Sequence, residues 1–182
     1  MKKWLIALGV TSALITAGCS GDTEESSDSE GQNEETAETE ENNSQDLKKS
    51  LMDAQMELTD TFKPHQQKIS AYQAAAAEEE PDTETITSAG EEAKTAAGEA
   101  AAAASDYTVE TELPDETKTK IQEAMPSLQA YYEEVEKALD ENLEEADFSA
   151  AEEKATEFNE QFGQILKDAD FPAAPDLIGE MS

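Results

Sequence analysis

The chain has 182 residues, with 44 acidic and 12 basic side chains and a net charge of −32 at pH 7. All the bases are Lys, and so acidic a surface repels phosphate backbones, which sets nucleic acid aside as a partner. One Cys and one His supply neither a disulfide framework nor the ligand set of a zinc or haem site.

Residues 1–18 have the order of a secretory signal peptide. Lys2 and Lys3 are followed by an apolar run from Trp4 to Thr16, and small residues precede Cys19. The apolar run is shorter than the roughly 20 residues of a spanning helix. Ile15-Thr16-Ala17-Gly18-Cys19 resembles the lipobox of bacterial lipoproteins, with Thr16 where Leu or Val is more usual. The resemblance covers the first twenty residues only. It implies cleavage before Cys19, acylation of the Cys19 thiol and anchorage by lipid to the extracytoplasmic face of the cell membrane. Two acyl chains make a stable anchor, since each buried methylene contributes ~0.8 kcal/mol. Lys2 and Lys3 leave with the signal, so ten Lys face all 44 acids and the net charge becomes −34. Such a body loses stability to self-repulsion at low salt, which suits a saline or alkaline milieu or abundant divalent cations.

Residues 19–45 read as a disordered acidic linker. Ala37 is the only apolar residue from Ser20 to Gln45, and ten acids from Asp22 to Glu41 have no Lys among them. Such a segment buries too little apolar surface to offset chain entropy. Fully stretched it reaches at most roughly 90 Å.

Residues 46–182 read as one helical domain. Leu47, Leu51, Ala54, Leu58, Phe62, Ile69, Tyr72 and Ala76 step by threes and fours, one stripe of a helix. Ser44 is the expected N-cap, and Pro64 should kink or divide the helix. A second helix spans about Thr83–Ala104, capped by Asp82 or Thr83. Alanine's propensity favours it. Its stripe of Ile86, Ala89, Ala93, Ala97, Ala100 and Ala104 is thin, so this helix is expected to be the least stable or to be completed by a partner. Tyr107 and Val109 alternate with polar residues in a short extended connection. Pro114-Asp115-Glu116 opens a third helix, with the stripe Ile121, Met125, Leu128, Tyr132, Val135, Leu139 and Leu143, and a kink or break expected at Pro126. Ser149 and Glu152 have capping-box spacing before Ala151, Ala155, Phe158, Phe162, Ile165 and Ala169. A last turn at Asp176–Gly179 should tuck against the rest. The fold class is all-α, an antiparallel bundle of about four helices, with a kinked three-helix bundle as the alternative.

Chemistry is sparse. His65 falls on the first stripe and reads as a packed residue with a ring nitrogen on a carbonyl freed by Pro64, rather than as a metal ligand. Glu133, Glu134 and Glu136 beside Tyr131 and Tyr132 form an acid–aromatic cluster that suits a cation, or simply an exposed face. No phosphate loop or dinucleotide motif occurs, and no nucleophile, base and acid converge. The chain is therefore expected to be an envelope interaction protein and not an enzyme, without a cofactor, using its lipid to reach the membrane and an envelope protein as partner. The alternative is a binding module for a cation, metal or cationic small molecule, and an envelope enzyme such as a wall hydrolase ranks last for want of convergent acid, base and nucleophile signals. The Ala-rich second helix is the expected contact surface.

Overall fold

The computed structural model describes residues 32–80, 82–173 and 175–182, with side chains from Asn43 onward. The expected signal segment, Cys19 and the first part of the expected linker lie outside the described residues. The chain runs α1 (Gln32–Ala76), α2 (Thr83–Asp106), α3 (Asp115–Glu141), α4 (Ser149–Asp168) and α5 (Leu177–Glu180). The four long helices form an all-α bundle, with no strand among the described residues. In packing, α2 lies on α1 and α3, and α3 lies on α4.

Helix α1 is longer than its apolar stripe. It begins at Gln32, not at Asp46, so the part of the expected linker from Gln32 to Gln45 is helical and Ser44 lies inside the helix. Helix growth explains the shift. Nucleation is the costly step, and once residues from Leu47 onward are packed, a segment of Glu and Gln extends the helix at little cost. Pro64 and Pro126 lie inside α1 and α3, which run through them undivided. The inward face of α1 is as expected: Leu51, Ala54, Leu58, Phe62, Ile69 and Tyr72 are buried.

Asp82 caps α2, its carboxylate accepting from the Thr85 amide at 2.8 Å; that bond holds the Asp82 carboxyl below its usual range. The expected thin stripe proves to be half of a two-sided contact. Ala93, Ala96, Ala97 and Ala100 are fully buried, and Ala101 and Ala104 nearly so. Methyl side chains let α2 approach two neighbours at once, so α1 and α3 complete its apolar surface. The expectation that α2 awaits a partner is corrected by this burial. A Cβ on Gly90 would lie 2.8 Å from Leu143 Cδ2 and 3.4 Å from the Tyr72 ring, so a side chain there would displace the end of the partly buried Leu143. Lys94 pairs with Asp140 across α2 and α3, and Lys120 with Asp168 across α3 and α4 at 3.1 Å.

The connection after α2 is extended, with Tyr107, Val109 and Leu113 directed inward. Glu57 of α1 holds it in place, accepting from the Glu110 amide at 3.3 Å and the Thr111 hydroxyl at 2.9 Å.

The start of α4 differs from the capping box. The Ser149 hydroxyl and amide both donate to Asp147, and Ser149 is already helical. Asp147 lies two residues earlier and carries a full charge, so it wins the hydroxyl, and Ser149 in turn holds the Asp147 carboxyl below its usual range. The far end closes in a Schellman motif: Phe171 N–H donates to the Leu166 carbonyl at 3.1 Å and Asp170 N–H to the Lys167 carbonyl at 3.0 Å. Asp170 sits in the left-handed region at φ 58°, where a Cβ is strained. Asp170→Gly is expected to stabilise the chain by about 1 kcal/mol, measured as a higher urea midpoint at unchanged slope.

Candidate binding groove between α1 and α4

The bundle leaves a gap between its first and last helices. α5 sits in it, touching both α1 and α4. Leu177, Ile178 and Met181 are buried there, so the last turn tucks in as its sequence suggests. Asn159 of α4 fastens it. Its amide donates to the Asp176 carboxylate at 2.7 Å and accepts from the Leu177 N–H at 3.2 Å, while Asp176 also accepts from Gly179 N–H at 3.0 Å. From the other side, the Gln55 amide of α1 reaches Glu180 at 3.4 Å.

Above this plug the gap remains open as a groove of about 430 Å³. Gln66 and Gln73 line it from α1, Tyr131 and Val135 from α3, Glu152 and Asn159 from α4, and Asp176 from the last segment. Gln66 and Ser127 are the buried polar side chains of the interior. Gln66 is held by Tyr131, whose hydroxyl donates to the Gln66 amide oxygen at 3.0 Å. Burial, and then the charges of Asp176 and Glu152, push the Tyr131 phenol up to about 12. The groove therefore offers carboxylates and amides around a phenol that keeps its proton. That arrangement attracts positive charge and N–H donors, and it places no base at neutral pH in the Tyr131 position. A second, wider depression of about 1020 Å³ follows the solvent side of α4 under Phe171–Asp176. It shares Thr156, Asn159 and Asp176 with the first, so the last segment divides one furrow into two.

The residues singled out in the sequence do not come together here. Tyr131 and Tyr132 are turned into the core, away from their acidic neighbours. Glu133 accepts from Gln129, Glu134 pairs with Lys137, and Glu136 lies beside Gly98 of α2. The cluster of the sequence is thus three separate surface carboxylates. His65 is half-buried at the edge of α1 and α2, with Nδ1 3.7 Å from Glu99 Oε2, and not on a carbonyl released by Pro64. Among the described residues no three His, Cys, Asp or Glu gather as a metal site, and no helix is long and apolar enough to cross a membrane. Gln66 was missed in the sequence although its spacing gave it away, since it lies four residues after Phe62 and three before Ile69.

No protein family model, curated protein or solved structure matches this chain.

Proposed function

We propose that this chain is a lipid-anchored, extracytoplasmic interaction protein, attached through Cys19 and presenting the groove between α1 and α4 to its ligand. The carrying observation for binding is the groove itself. Its Gln66–Tyr131 bond is buried and its rim carries Glu152 and Asp176. The carrying observation for the anchor is the lipobox at Ile15–Cys19. The two rim carboxylates favour a ligand with positive charge, of the class of polyamines or cationic peptides. The protein's net charge adds long-range attraction for such ligands. Binding, not catalysis, suits a phenol held protonated by its surroundings.

Calorimetry with spermidine tests the groove. Saturable uptake that persists in molar NaCl and weakens roughly tenfold in Glu152→Gln, the loss of one charge-assisted contact, is expected. Uptake that salt erases and that ignores Glu152→Gln would refute it. Palmitate labelling of cells tests the anchor separately: Cys19→Ala should abolish label and membrane retention.

A further inference from the structure

Among the described residues, two large hydrophobic side chains are exposed, Met52 at 55% and Met56 at 61%. They lie one turn apart on α1. Counted at about 100° per residue, the face around them holds Lys48, Lys49, Gln55, Thr59 and Lys63. Of the carboxylates in this stretch, Asp46 and Glu57 fall outside it, Asp53 lies at its border, and Asp60 lies on its edge next to Lys49. Three of the ten Lys beyond the signal segment thus share one face with both exposed methionines, on a body whose other helices are dominated by acid.

We propose that this face is where a second copy of the chain docks, antiparallel, α1 against α1. The argument rests on what each copy can offer. The apolar surface available in return for Met52 and Met56 is the same pair on the other molecule, and a patch that meets itself does so about a two-fold axis. With Met52 opposite Met56 of the second copy, Lys49 comes level with Asp60 of the second copy. Lys49 and Asp60 lie on the same edge of the face, about three turns apart along α1, and both are exposed. The axis repeats the pair, so two ion pairs flank four methionines. In a single molecule these two residues are too far apart to meet. Methionine suits such a contact, since its unbranched thioether adapts to a like surface. A flat lipid surface fits less well. Any plane broad enough to touch Lys49 and Lys63 also meets Asp60 and Asp53 at the edge, whereas a narrow helix settles between them. This reading is independent of the groove and of the anchor.

The test uses the full chain from residue 19 with Cys19→Ser, in two tagged forms carrying Met52→Cys or Met56→Cys. Mixed under mild oxidation, they are expected to form a disulfide-linked pair in roughly tenfold higher yield than two copies carrying Glu92→Cys on the outer face of α2, because docking raises the local thiol concentration. Lys49→Glu or Asp60→Lys alone should cut that yield by roughly tenfold, each replacing two attractions by two repulsions. The two exchanged together should restore it, which a merely misfolded variant would not do. Equal yields at positions 52/56 and 92, or no recovery in the double exchange, overturn the proposal. So does binding of the same face to phosphatidylglycerol vesicles without cross-linking.

Discussion

Ala97→Leu is expected to cost about 3 kcal/mol of stability, at the upper end for overpacking a core, while Ala102→Leu stays within about 0.5 kcal/mol of the parent. Both changes put the same side chain on the same helix. Ala97 is fully buried where α2 is pressed between α1 and α3, and a leucine there has no room unless the helices part. Ala102 is exposed and gains only a good helix former. Urea unfolding followed by helical circular dichroism separates them. Equal midpoints would mean that α2 does not occupy the centre. By the same reasoning, deleting residues 83–104 would remove the middle of the bundle, and an interaction lost with it would reflect lost folding.

Tyr132→Phe is expected to make the protein more stable by about 1 kcal/mol, the reverse of the usual result for a core substitution. The Tyr132 ring is fully buried and stacks on Phe62 with centroids 5.8 Å apart. Its hydroxyl has no hydrogen-bond partner among the described residues, and leaving such a group unpaired costs about 1–3 kcal/mol. Phenylalanine keeps the ring and removes the orphan. The same burial sets an alkaline limit on the fold. Burial raises the phenols of Tyr107, Tyr131 and Tyr132 above the ordinary value, Tyr131 from 10.0 to about 12. Below pH 10 both folded and unfolded chains hold these protons, and the stabilisation is complete. As pH rises from 10 to 12 the unfolded chain releases protons that the folded chain retains, so stability falls. For Tyr131 alone the loss is about 3 kcal/mol across that window. Tyrosinate absorbance should therefore appear in step with loss of helix, and Tyr132→Phe should move that transition to higher pH. Ionisation of these tyrosines while the helices stay intact would contradict the account. The single Trp is Trp4, so protein produced from residue 19 onward has no Trp, which leaves the tyrosine signal clear.

Much of this fold was legible. Apolar steps of three and four located all four long helices, because each must bury one stripe and the helical period leaves no other spacing. Asp82 was readable as a cap for the same local reason. What the sequence concealed depends on neighbours. An alanine stripe looks alike whether one helix or two lie against it, so the depth of α2 was hidden. The Ser149 box failed because Asp147, outside the motif, competes for the same hydroxyl. The linker's helical part was hidden because growth depends on a nucleus packed further along. At the groove, Tyr131 was legible as core from its helical spacing, three residues after Leu128 and four before Val135, and its burial agrees; the acids beside it in sequence say nothing of the groove. The pairing of Tyr131 with Gln66 joins positions far apart in sequence, and no local pattern foretells it.

The length of α1 has a mechanical consequence. Residues 32–45 and the packed stretch from Leu47 to Ala76 belong to one continuous helix. A coil attached to a bundle passes on tension alone, and lets the body turn freely beneath it. A helix passes on bending and torsion as well. Whatever grips the chain near Gln32 therefore has a lever on the bundle, roughly 20 Å long at 1.5 Å per residue. Its fulcrum lies where Leu47 and Leu51 meet the core. Tilting that lever would load the same helix that forms one wall of the groove.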